Sequence, residues 1–132
     1  MGAEPYPGAL HRIAQLATLE PGWNGHRAAP ISKDSQRAAV YFLSQVWAEF
    51  GSSVAEPSIV APTPDGGIAL EWIVQDGDER GVEVVCFPAW YEYTVRNRRT
   101  GAIEDEAERA RPNRILLNVI KPRVVGHAVL PS

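Results

Sequence analysis

The chain is expected to fold as an α+β domain: two N-terminal helices packed on one face of a four- to five-stranded antiparallel meander, with a possible C-terminal helix. Three observations carry that expectation. The apolar period is helical as far as Phe50 and becomes two from Ser58 onward. Short turn sequences separate the period-two segments, as in a series of hairpins. Strand and helix patterns do not alternate and no internal repeat occurs, which argues against a doubly wound nucleotide-binding sheet.

The 132 residues are read as one domain. Residues 1–8 are expected to be a loose arm and residues 9–51 the helical part. Ala9 to Leu19 reads as a short amphipathic helix. Leu10, Ile13, Ala14 and Ala17 share a face, with Leu16 beside it, and Pro21-Gly22 ends it. Trp23-Asn24-Gly25 reads as a turn, because Asn and Gly both tolerate positive φ. In the second helix Ser32 can cap the first turn, and Asp34 suits the positive end of the helix dipole. Ala39, Phe42, Leu43, Val46, Trp47 and Phe50 recur at three- and four-residue steps as one apolar stripe, and Gly51 is placed to stop it.

Residues 57–104 are expected to form the antiparallel sheet. Pro64-Asp65-Gly66 suits a type I turn followed by a left-handed Gly, joining a strand near Ser58–Thr63 to one starting at Gly67. The register of the first strand is open by one residue. Ile68, Leu70 and Trp72 point one way, and Ala69, Glu71 and Ile73 the other. Val82, Val84 and Cys86 alternate with Glu83, Val85 and Phe87; Tyr91, Tyr93 and Val95 alternate with Trp90, Glu92, Thr94 and Arg96. If Pro88-Ala89 is a hairpin tip, Cys86 faces Tyr91, Val84 faces Tyr93 and Val82 faces Val95, so apolar meets apolar throughout. Pro-Ala lacks the residues that two-residue turns favour, so a wider tip also fits. Asn97 to Gly101 is a stronger turn and would bring Ile103 opposite Val95.

Glu104 to Arg111 is highly charged and expected to be exposed. Pro112 suits a helical first turn. Residues 112–121 fit a helix with Ile115, Leu116, Val119 and Ile120 on one face, ending before Pro122; they also fit a strand, and helix is favoured. Residues 122–132 are read as a tail, either coil or an edge segment.

Composition sets outer limits. Apolar content of 45% and charged content of 22% are ordinary for a globular domain, so the 11 prolines and 11 glycines are read as loop punctuation. A single cysteine, Cys86, closes no internal disulfide, and the N-terminus has no basic start or long apolar run; both suggest a cytoplasmic setting without membrane association. The net charge of −3 is uneven: residues 1–95 hold 5 of the 13 basic groups and 12 of the 16 acidic ones. The body is therefore acidic and the C-terminal part basic.

Trp23-Asn24-Gly25, Pro57-Ser58 and the string from Pro62 through Asp65-Gly66-Gly67 to Leu70-Glu71-Trp72 together resemble a group of small, uncharacterised bacterial proteins. In these a Trp-Asp/Asn-Gly turn precedes a helix and a PTPDGG-x-x-LEW hairpin follows it. The resemblance spans residues 10–100, and Asn24 stands where Asp is common. It implies a bacterial, cytoplasmic protein with the fold described above. No activity is established for that group, so it implies no catalytic residue.

No cofactor or metal is expected. His11, His26 and His127 are far apart, and no pair has ligand spacing. Cys86 falls on the apolar sheet face, where a thiol is inert core. Glu71, Glu83 and Glu92 share the other face with Ile73, Val85, Phe87 and Trp90, a mixture too apolar to leave bare. Either the C-terminal segment or a partner should cover it. The leading expectation is therefore a non-enzymatic protein-binding module, antitoxin-, immunity- or inhibitor-like, with Glu71, Phe87, Trp90, Glu92, Arg98 and Arg99 at the interface. Self-association is a competing use of the same face. Trp23 and His26 flank a turn that can contact a ligand. One alternative is a nucleic-acid-binding regulator using Arg98, Arg99 and the basic C-terminal part, which Glu104, Asp105, Glu106 and Glu108 interrupt. Another is a small enzyme using the sheet-face glutamates.

Overall fold

The computed structural model describes residues 5–131. Two N-terminal helices, α1 (Pro7–Gln15) and α2 (Lys33–Phe50), precede five strands: β1 (Ile59–Pro62), β2 (Ile68–Asp76), β3 (Asp78–Cys86), β4 (Tyr91–Asn97) and β5 (Ile103–Ala110). An unbroken helical run follows, made of α3 (Pro112–Ile115), a π-helical segment (Leu116–Ile120) and α4 (Lys121–Arg123). A short β6 (Ala128–Val129) comes last. The sheet is an antiparallel meander in the order β1-β2-β3-β4-β5. β6 pairs with β2 at Val74 and Gln75, along the edge that β1 leaves uncovered.

The expected loose arm, residues 1–8, is corrected from Pro5 onward; residues 1–4 lie outside the described residues. Tyr6 is buried, and its hydroxyl donates to the Val54 carbonyl at 2.9 Å. Burial and the nearby Glu56 carboxylate push that phenol up to about 12. Pro7 then opens α1 two residues earlier than expected, since its fixed φ suits a first turn and it has no N–H to satisfy. The Ala9 amide donates to Glu56 Oε1 at 2.8 Å. This anchor turns the helix so that Ala9 and Ile13 are buried and Leu16 half-buried, while Ala14 and Ala17, expected on that face, are exposed.

In α2, Ser32 Oγ accepts from the Ser35 amide at 3.1 Å, and Ala38, Ala39, Phe42, Leu43 and Val46 form the buried stripe. Trp47 lies off its edge at 41% exposure, its ring edge-on to Tyr6. Gly51 stops the helix at φ 55°, a left-handed value that favours glycine.

The central register is Cys86 opposite Tyr91, Val84 opposite Tyr93 and Val82 opposite Val95. Phe87 N–H donates to the Trp90 carbonyl at 3.0 Å, so Pro88-Ala89 is the tip in spite of its unfavourable turn chemistry. β2 and β3 run further than the alternation suggested and meet at Gly77, with φ 72°. Ile103 faces Arg96 rather than Val95, because the pairing of β4 and β5 slips after Val95 and brings Asp105 opposite Val95. A second slip lies between Tyr91 and Tyr93, and near it Arg109 adopts φ 55°.

Helices α1, α2 and α3 and the π-helical segment contribute to one core, while α4 buries no side chain of its own. Ile13, Phe42, Leu43 and Val46 pack with Ile68, Leu70, Trp72, Val82, Val84, Cys86, Tyr93 and Val95. The C-terminal run adds Ile115, Leu116, Val119, Ile120 and Val124, which settles the segment as helix on the same side of the sheet as α2. It also passes through Pro122, where an end was expected. The proline cannot donate to the Asn118 carbonyl four residues back. Arg123 Nη1 donates to that carbonyl instead, at 2.9 Å, and the Lys121 amide reaches the Leu116 carbonyl in a π turn.

The Trp23 loop and the Pro64-Asp65-Gly66-Gly67 turn meet in space. Ala29 N–H donates to the Pro64 carbonyl at 2.8 Å, and Ser35 Oγ donates to the Gly66 carbonyl at 2.8 Å. Thr63 Oγ1 closes the turn by accepting from the Gly67 amide and donating to Asp65 Oδ1. Ser35 is 1% exposed, so Ser35→Ala leaves the Gly66 carbonyl without its donor inside the protein. The expected cost is about 1–3 kcal/mol, read from urea denaturation.

Candidate functional site

Among the described residues, the buried apolar side chains of α1, α2 and the C-terminal run all join the core on one side of the sheet, and no helical side chain joins the other. That second face carries Ala69, Glu71 and Ile73 of β2, Glu83 and Val85 of β3, Glu92, Thr94 and Arg96 of β4, and Glu106 of β5. The expectation that the C-terminal segment might cover it is overturned for the helical run, whose apolar residues belong to the opposite side. Only the extended tail reaches the edge, where Leu130 N–H donates to the Ile73 carbonyl.

The face is also less apolar than the sequence implies. Ala69, Ile73 and Phe87 are at most 8% exposed, yet they sit apart from the helix-covered core. Phe87 is covered from within its own face. Its ring stacks on Trp90 with centroids 4.7 Å apart and planes 15° from parallel. The Arg109 guanidinium lies over Trp90, 4.7 Å from the ring centre. Trp90 Nε1 donates to Glu92 Oε2 at 2.9 Å, which fixes the indole within the sheet surface. Gly67 makes this possible: a Cβ there would sit 2.7 Å from Phe87 Cε1. The pair of glycines therefore has two separate causes, a positive φ of 90° at Gly66 and an aromatic ring pressed onto Gly67.

Further along the face, the Glu71 carboxylate lies across Gly81, in space that a Cβ would fill. It pairs with Arg98 at 3.7 Å, and Arg98 also lies 3.9 Å from Glu79. Glu83 is directly opposite Glu71 across the strands. Partial burial and the Glu71 charge raise the Glu83 carboxyl, with Arg96 opposing. Phe87, Trp90 and Glu92 thus form one cluster, and Glu71 and Arg98 another.

Arg99 belongs to neither. It grips Asp78 through Nε and Nη2 at 3.0 and 3.1 Å, beside the Asn97 amide, and holds that carboxyl at about 2. Arg98 and Arg99 both direct their charge at carboxylates, so they present no unpaired basic tip. Trp23 Nε1 donates to the Ala29 carbonyl at 2.9 Å and closes its own loop; His26 is exposed beyond it.

Cys86 is 0% exposed on the core side, and burial pushes its thiol far up, so it is no nucleophile. Among the described residues no three His, Cys, Asp or Glu side chains converge as a metal site. The side chain of this cluster that sequence reasoning did not single out is Arg109, which lies over Trp90 from a left-handed backbone that nothing in Glu-Arg-Ala announces. No family model, curated protein or solved structure matches the chain.

Two outcomes follow from this geometry. Gly67→Ala displaces Phe87 and breaks its stack on Trp90, costing about 1–3 kcal/mol and changing the near-ultraviolet circular dichroism. Glu83 is raised above its usual 4.5 in the folded chain, so over a window opening there the native state keeps a proton that the unfolded chain has released. Stability therefore falls as pH rises through that window. Glu83→Gln removes this fall and stabilises the protein at neutral pH by less than about 1 kcal/mol, the scale of one cross-strand pair, as thermal melts across pH will register.

Proposed function

We propose that the chain is a non-enzymatic protein-binding module, inhibitor-, antitoxin- or immunity-like, that docks a partner on the helix-free sheet face. One observation carries the reading: the Phe87–Trp90–Arg109 stack is built on that face and tied down by Glu92, away from the core. Aromatic and arginine side chains fixed in a surface are what interface centres use, because little side-chain entropy remains to be lost on docking. The glutamates around them, Glu71, Glu83, Glu92 and Glu106, favour a partner with basic groups at the rim.

Pairing of two copies through this same face is the weaker use, because it sets Glu71, Glu83, Glu92 and Glu106 against their own counterparts, and pairing through the sheet edge is discouraged too. The outer strand β5 reads Ile-Glu-Asp-Glu-Ala-Glu-Arg-Ala and is irregular in its pairing, and both features discourage a second chain from adding to it. The nucleic-acid alternative loses support from the ion pairs at Arg98 and Arg99.

A photo-crosslinking residue at Val85, compared with one at Glu49 on the exposed side of α2, tests the proposal in the native host. A discrete heteromeric adduct from Val85 alone, abolished by Trp90→Ala in a protein that keeps its fold, is the expected result. Free monomer at both positions, or an adduct indifferent to Trp90→Ala, overturns it.

A further inference from the structure

A cleft of about 560 Å³ opens beside the docking face, between α2, the β3–β4 tip and the junction of β5 with α3. Tyr41, Trp90, Arg109, Arg111 and Asn113 line it. Tyr41 is 52% exposed at one wall of it. Arg109 and Arg111 are both exposed. Neither has a carboxylate within ion-pair distance among the described residues, a condition shared by Arg12, Arg27, Arg96 and Arg114 but not by Arg37, Arg80, Arg98, Arg99 and Arg123. Two unpaired guanidinium groups thus share one concavity in a chain whose net charge is −3.

The backbone adds a separate observation. Arg109 stands at φ 55° in the irregular stretch of β5 opposite Tyr91 and Tyr93. A left-handed residue there is ordinarily glycine, and a long side chain costs about 1 kcal/mol or more. The distortion brings the Arg109 side chain over Trp90 at the mouth of the cleft.

We propose that this cleft binds a small ligand with an oxyanion head and a flat body. Arg109 and Arg111 take the head, phosphate or carboxylate, because the guanidinium fork matches either group with two parallel hydrogen bonds. The Asn113 amide supplies a neutral donor, and the Tyr41 ring is the platform for the flat body. The site adjoins the protein-docking face and shares Trp90 and Arg109 with it, but its occupancy does not require the docking proposal to hold.

Calorimetric titration of the full chain with adenosine monophosphate, with benzoate and with inorganic phosphate tests it. Saturable binding of the first or the second is expected, with inorganic phosphate weaker, and whichever arm binds identifies the head group. Arg111→Gln should weaken that binding about tenfold or more, the loss of one charged hydrogen bond. Arg98→Gln, at the paired far end of the face, should leave it unchanged. Arg109→Gly should lose binding to the same degree while holding the melting temperature, since glycine relieves the left-handed backbone. No saturable binding of any probe at millimolar concentration overturns the proposal. So does equal weakening by Arg98→Gln, or binding that survives both Arg109→Gly and Arg111→Gln.

Discussion

A slip of one residue between β3 and β4 would exchange the two faces of one strand relative to the other. With β3 held in place, Tyr91, Tyr93 and Val95 would turn to water, and Glu92, Thr94 and Arg96 would be driven into the helix-covered core. Apolar burial at roughly 25 cal/mol per Å² makes that exchange prohibitive. The register across Pro88-Ala89 is therefore the constraint on which the rest depends. The tip itself has poor turn chemistry, so side-chain burial, rather than the turn, holds the strands in step. Every other strand takes its facing from this pair.

The second face is built by subtraction. Gly67 makes room for the Phe87 ring, and Gly81 makes room for the Glu71 carboxylate. In both places an absent Cβ lets a side chain lie flat on the sheet. The result is a surface with some protein-like packing and no second layer of backbone. Its ion pairs are partly solvated, so each adds little stability. Their effect is geometric: they orient Arg98 and Glu71 and fix the charge pattern of the face. The stack of Phe87, Trp90 and Arg109 continues this surface to the rim of the arginine-lined cleft, so the proposed docking face and the proposed ligand site share one indole.

Much of the fold was legible because burial leaves a periodic trace. The stripe of α2, its Ser32 cap, the Gly51 stop and the β3–β4 register all follow from spacing and from residues with special backbone preferences. What was not legible depends on contacts between distant segments. Tyr6 reads as part of a loose arm until Val54 supplies an acceptor. Pro122 reads as a helix end until Arg123 occupies the orphaned carbonyl. Ile103 reads as a partner of Val95 until the strand slips. In the candidate site, alternation placed Phe87, Trp90 and Glu92 on one face, but their mutual packing needed coordinates. Arg109 was hidden more deeply, because its left-handed backbone has no glycine to mark it.

Cys86 lies at 0% exposure on a central strand, with paired strands on both sides. It is the chain's only sulfhydryl, so an alkylating reagent finds no other group of its kind. Local fraying of the tail or of β1 does not uncover it; the sheet has to come apart. The rate at which this thiol is alkylated in native buffer is thus a stopwatch for whole-molecule opening, carried by the protein without any added probe.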